Sequence, residues 1–188
     1  MMRREKLDHL LRAASTVTGH RCFVLVGSAA ILMRCKDIPG DLLLTPEADL
    51  SVPEVPNAED LSDAIGANIG QGSSVHQQYG CYCDGVSAGT AVMPADWQAR
   101  AVAYESPGCP GITAIVADPA DIALAKMVAW REKDRAWLTS GLRSGLFDLG
   151  LMATRLPRMP DRVPERREMM RRLAWLAADC ALPFDPSG

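Results

Sequence analysis

Apolar residues Leu7, Leu10, Leu11 and Ala14 recur at three- and four-residue intervals, with Arg3, Arg4, Glu5, Asp8 and Arg12 on the other side. That period predicts an amphipathic helix from about Arg3 to Thr16, stopped before Gly19. The pattern then changes to an unbroken apolar run, Phe23-Val24-Leu25-Val26, which reads as a buried strand. Gly27-Ser28 ends it, and Ala29-Ala30-Ile31-Leu32-Met33 reads as a helix. Turn residues Asp37, Pro39 and Gly40 interrupt the chain before Leu42-Leu43-Leu44. Alternation in Glu47-Ala48-Asp49-Leu50-Ser51-Val52 predicts a strand with Glu47 and Asp49 on one face, because side chains repeat every second residue. A helix capped by Asn57 follows, through Ala58 to Ile65, with acids early where the dipole favours them. After a polar, glycine-bearing stretch, Cys81–Val86 and Thr90–Met93 read as a hairpin continuing the sheet. Ala101–Tyr104 and Ile112–Val116 read as two final strands.

Asp118-Pro119, an N-cap followed by proline at the first helical position, opens a largely apolar helix running through Trp130. On it Lys126 is the odd residue, two turns before Lys133 on the same face. A last helix spans about Glu165 to Leu182, with Met169, Met170, Leu173, Leu176 and Ala177 at helical spacing. These elements predict an α/β fold, a mixed sheet with flanking helices and a helical C-terminal part. The expected organisation is a core over 1–117 and a helical segment over 118–188 packed on it as one compact unit.

Length and composition agree with this. The chain has 188 residues, 48% of them apolar and 23% charged, as in an ordinary globular protein. No apolar run would cross a bilayer, and the charged start has no apolar core of a signal peptide behind it, so a cytoplasmic protein without membrane partners is expected. The six cysteines are scattered and read as free thiols. Cys81 and Cys83 share a strand face with His76 upstream, but the two-residue gap usual in zinc sites is missing. Charge is distributed unevenly: no Lys or Arg occurs between Asp37 and Ala99, whereas Arg155, Arg158, Arg162, Arg166, Arg167, Arg171 and Arg172 crowd the C-terminal part. Either an acidic metal-binding side opposes a basic side that meets phosphates or RNA, or the two neutralise each other across their contact.

The chemistry concentrates at two places. A strand turning through Gly27-Ser28 presents backbone N–H groups to an anion; Gly27 permits close approach and Ser28 offers a cap or a hydroxyl. Two carboxylates side by side, Glu47 and Asp49, repel each other unless a cation or solvent intervenes. A phosphate cradle beside a carboxylate pair suits metal-assisted phosphoryl or nucleotidyl transfer. The alternative reading of each piece is a plain turn and a solvated strand face.

Gly27-Ser28, then Glu47-x-Asp49 on the next strand, then Lys126 on a helix and Arg131-Glu132-Lys133-Asp134, together resemble the nucleotidyltransferase superfamily with the DNA polymerase beta-type fold. The resemblance is closest to the small bacterial branch that includes the nucleotidyltransferase-like toxins of toxin–antitoxin systems. It covers roughly residues 20 to 135 as spaced motifs. Glu47 stands where the family has Asp, and the interval from Ser28 to Glu47 is longer than usual. The resemblance implies the minimal nucleotidyltransferase sheet and Mg²⁺, with Mn²⁺ as the alternative, held by Glu47 and Asp49. It implies a third carboxylate, best matched by Asp84, with Glu54 and Asp96 competing. Gly27, Ser28, Lys126, Arg131 and Lys133 would hold a nucleoside triphosphate, with Glu47, Asp49 and Lys126 catalytic and Ser74 and His76 near the nucleotide. The acceptor would be a tRNA end or a protein hydroxyl, and a partner protein is conceivable in such systems. Two rivals stand beside it: a catalytically degenerate binding or regulatory protein of the same fold, and an RNA-binding protein using the C-terminal arginines.

Overall fold

The computed structural model describes residues 1–53, 55–161 and 164–185. Helix α1 (Arg4–Thr18) buries Leu7, Leu10, Leu11 and Ala14, and ends where Gly19 turns left-handed and donates its N–H to the Ser15 carbonyl. Strand β1 (Cys22–Val26) leads into a 3₁₀ turn (Ser28–Ala30) and the single-turn α2 (Ile31–Arg34). A second 3₁₀ turn (Gly40–Leu43) precedes β2 (Glu47–Ser51). Then come α3 (Ala58–Ile69), α4 (Ser74–Tyr79), β3 (Tyr82–Gly85), β4 (Val102–Glu105) and β5 (Thr113–Val116). The C-terminal part is α5 (Pro119–Ala129), α6 (Glu132–Arg143), α7 (Leu149–Arg155) and α8 (Arg166–Cys180).

The five strands form one mixed sheet in the order β3-β2-β1-β5-β4. β1 runs antiparallel to β2 and parallel to β5, placing Val26 opposite Asp49. β2 and β3 are parallel, with Asp49 opposite Asp84 and Glu47 opposite Tyr82. The predicted hairpin over Cys81–Met93 does not form. A parallel partner needs a long crossover rather than a tight turn, and α3 and α4 supply it, leaving β3 at the sheet edge. The crossover packs tightly: a Cβ on Gly85 would overlap the Ser62 carbonyl of α3. Beyond β3 the chain leaves the sheet, and Ala95 donates its N–H to the Arg158 carbonyl of the C-terminal part.

The helix predicted to continue through Trp130 also breaks. Trp130 adopts φ 52°, and Arg131 is the extended N-cap of α6, its N–H accepted by Asp134. Packing fixes the break, since the Trp130 indole meets Trp175 edge-on at 5.6 Å and lies under the Arg172 guanidinium at 5.2 Å. Arg172 donates to the freed carbonyls of Met127 and Val128 at 2.9 and 3.0 Å. Lys126 and Lys133 therefore sit on different helices.

One apolar core joins Phe23, Leu25 and Leu50 of the sheet to Leu7 and Leu11 of α1 and to Leu124, Met127, Leu138 and Leu173 of the C-terminal helices. Among the described residues no helix is long and apolar enough to cross a membrane.

Candidate active site

Gly27, with φ 72°, turns the chain out of β1. The strand register brings Asp49 alongside the residue before it, and a Cβ on Gly27 would overlap Asp49 Oδ2. A side chain at this corner and a carboxylate at position 49 exclude each other, so glycine is what allows the acid to reach the corner. The helix expected after Ser28 is shorter than its composition suggested: a 3₁₀ turn and four residues of α2. An anion here would meet the backbone N–H groups of the corner rather than a sizeable helix dipole. Ser28 does not cap the turn.

Glu47 and Asp49 line the same cavity, of about 790 Å³, as Gly27 and Ser28. Burial raises the Asp49 carboxyl to about 7; the Glu47 carboxyl, within hydrogen-bonding reach and of like charge, pushes the same way, while Lys126 opposes both. Asp84, opposite Asp49 on β3 and also lining the cavity, is raised by burial and by the charge of Glu47, against a backbone hydrogen bond at Gln71. The Tyr82 hydroxyl is within hydrogen-bonding reach of Glu47.

The opposite wall comes from α5 and α6. Lys126 does not snorkel into solvent: its side chain is 16% exposed, with Nζ 3.5 Å from Asp134 Oδ1 and 5.7 Å from the centre of the Trp137 ring. Burial lowers its pKa, and the charges of Asp134 and Asp49 hold it up. Arg131 grips the buried Asp134 in a fork, Nε to Oδ2 at 2.6 Å and Nη2 to Oδ1 at 3.1 Å. Lys133 stands exposed at the rim. Trp137 donates its indole N–H to the Leu42 carbonyl at 3.2 Å, fixing the 41–46 segment as a cavity wall. The long interval between Ser28 and Glu47 thus has a structural use.

Crowded carboxylates that keep a proton near neutrality form a hard oxygen donor set, which suits Mg²⁺ or Mn²⁺. Glu47 and Asp49 fit such an ion. Among the described residues no group of three or more His, Cys, Asp and Glu side chains is gathered to hold one, so Asp84 stands near the pair without completing a triad.

A family model described as a nucleotidyltransferase of unknown function (DUF6036) matches residues 5–175, which include every strand of the sheet and every wall of the cavity. The chain belongs to that nucleotidyltransferase family. No curated protein and no solved structure matches it.

In this member of the family several sequence candidates lie elsewhere. Asp96 is bound by Arg100 at 2.8 Å and Arg158 at 2.6 Å. His76 accepts the Gly72 N–H at Nδ1 and packs on Tyr82, a structural role within the start of α4, and Ser74 begins that helix outside the cavity. Glu54 and Arg162 lie outside the described residues. Cys81 and Cys83 are buried free thiols. Tyr82 escaped sequence reasoning because only strand pairing sets it against Glu47. Leu42–Leu44 read as an apolar run and Thr90–Met93 as a strand, and neither pattern signalled a cavity wall.

Proposed function

We propose that the protein is a Mg²⁺- or Mn²⁺-dependent nucleotidyltransferase that moves a nucleotidyl group from a nucleoside triphosphate to a hydroxyl of RNA or protein. The observation that carries this reading is the contact of Asp49 with the Gly27 corner, inside the cavity that also holds Glu47 and Lys126. A bound divalent ion would supply Lewis-acid polarisation of the phosphates and of the attacking hydroxyl. Glu47 and Asp49 would hold that ion, Asp49 as the deprotonated carboxylate. The backbone N–H groups at Gly27 and Ser28 grip phosphate oxygens. Lys126, steadied by Asp134, offsets the negative charge that builds on the leaving pyrophosphate. Arg131 and Lys133 at the rim attract the triphosphate. A cytoplasmic location, where nucleoside triphosphate and Mg²⁺ are supplied, suits this reading.

The second reading is a degenerate nucleotidyltransferase-like binding or regulatory protein of the toxin–antitoxin type. Glu47 in the first acidic position, and a carboxylate set that among the described residues stops at a pair, favour it. Titration calorimetry with nucleoside triphosphate, with and without Mg²⁺, separates the two. Metal-dependent binding together with transfer of label from an α-labelled triphosphate supports the enzyme. Asp49→Asn is expected to lower that transfer about 100-fold or more with the fold intact; full activity in this variant removes Asp49 from the mechanism and the reading with it.

A further inference from the structure

The cavity is divided by charge. Its wall from β2, β3 and the 86–93 segment contributes Glu47, Asp49 and Asp84, with Val86, Ala91 and Met93 as its apolar part, whereas Asp41 lies on the segment that Trp137 ties to α6. No Lys or Arg occurs anywhere between Asp37 and Ala99. The cations that line the cavity, Lys126, Arg131 and Lys133, all come from α5 and its junction with α6. A triphosphate therefore lies between the Gly27-Ser28 corner and the α5–α6 wall. The acceptor then approaches across the other wall.

An RNA acceptor end would bring phosphodiesters there, and nucleic-acid strands are positioned chiefly by cations and N–H groups that contact those phosphates. After Glu47 and Asp49 take a divalent ion, Asp84 still leaves this wall negative, so a phosphate would be repelled. None of the described C-terminal arginines from Arg155 onward lines the cavity, although Arg166 and Arg167 stand exposed on α8. Arg155 is held by Asp118 and Asp121, Arg158 by Asp96, and Arg171 and Arg172 by Glu168.

We infer that the acceptor is a hydroxyl on a molecule without phosphate, neutral or cationic: a Ser, Thr or Tyr side chain in a basic peptide segment, or an aminated polyol. This rests on the nucleotidyl-transfer reading and chooses between its two acceptor classes. The acceptor oxygen bonds to the α-phosphorus, the bond from that phosphorus to the bridging oxygen of the β-phosphate breaks, and pyrophosphate leaves with the electron pair. The hydroxyl proton passes to water. Asp84 attracts an amino or guanidino group of the acceptor, and Val86, Ala91 and Met93 receive its apolar part.

The test incubates the full chain with Mg²⁺ and each of the four α-labelled nucleoside triphosphates. The acceptors are, in parallel, a lysine-flanked Ser/Thr/Tyr peptide, an aminoglycoside and total tRNA. Label is expected on the peptide or the aminoglycoside at least about 10-fold above tRNA, and the two arms tell the sources apart. Ala91→Lys, which places a cation on the acceptor wall at a position that is not one of the ion-binding acids, is expected to lower kcat/KM for the cationic acceptor about 10-fold while leaving the affinity for Mg-triphosphate unchanged. Preferential labelling of tRNA, or transfer to tRNA enhanced by Ala91→Lys, overturns the acceptor assignment and leaves the nucleotidyltransferase reading standing. Failure to bind any Mg-triphosphate overturns both.

Discussion

Asp49 is a residue whose function and stability oppose each other. Its carboxyl titrates near 7 in the folded chain against an ordinary 3.8, so between those values the folded state holds a proton that the unfolded state has released. Stability from that proton is complete below about pH 4 and declines as pH rises through 7. Asp49→Asn, with no charge to desolvate, should therefore be more stable than the parent at pH 8, by about 1–3 kcal/mol. The gain should shrink towards pH 4. Thermal melts across pH without divalent ions measure this, each kcal/mol corresponding to roughly 2–4 °C for a chain of this size. Adding Mg²⁺ should raise the melting temperature of the parent and not of the variant, reversing the order. Gly27→Ala makes the complementary case, because its Cβ meets Asp49 Oδ2 and its φ of 72° is a left-handed value. A loss of about 1–2 kcal/mol from the backbone alone is expected, with Mg-triphosphate binding abolished in calorimetry. Both residues were legible in the sequence, since a Gly-Ser corner and a two-residue spacing of acids are local patterns. Tyr82 and the placement of Asp84 were not, because cross-strand neighbours depend on a register that a single strand does not encode.

Elements were legible where one period ran without interruption, as in α1, β1 and β2, and failed where tertiary contacts decide. The apolar pattern runs on past Ala129, yet the edge-on contact with Trp175 and the Arg172 guanidinium turn the chain at Trp130. Cys81–Val86 and Thr90–Met93 both look like strands, but the crossover through α3 takes β3 to the sheet edge and leaves the second run as cavity wall. At the far end α8 stops on Ala181, an exposed alanine at φ 53° and ψ 39° that donates its N–H back to Ala177. Glycine is the usual residue in that left-handed cap because a Cβ strains it. Ala181→Gly should stabilise the protein by about 1 kcal/mol, read as a shift in the urea midpoint with an unchanged slope. A neutral or negative result would mean that the alanine makes packing contacts in solution that outweigh the strain.

At the scale of the whole molecule, charge has a structural use as well as a chemical one. The sequence left open whether its acidic and basic parts form opposed functional faces or neutralise each other, and around α5 they neutralise. Asp121 is wholly buried and accepts from Arg100 at 3.0 and 3.1 Å and from Arg155 at 3.1 Å. Asp118 caps α5 and pairs with Arg155 at 2.6 Å and with Arg34 at 3.2 Å. Arg34 lies in α2, directly after the Gly27-Ser28 corner, and Arg155 ends α7, so these aspartates tie the phosphate corner to the C-terminal helices. Removing one member of such a network leaves buried charge uncompensated. Asp121→Ala should therefore cost about 3–5 kcal/mol, a large fraction of the stability of an ordinary domain. Because the same core continues from the sheet into α5, α6 and α8, that loss should appear as one earlier cooperative transition, with near-ultraviolet and far-ultraviolet circular dichroism changing together. Two separated transitions, with the sheet surviving the helices, would show instead that the C-terminal segment folds as a unit of its own. The cavity walls would then belong to bodies able to move apart, and the geometry joining Lys126 to Asp49 would need substrate to hold it.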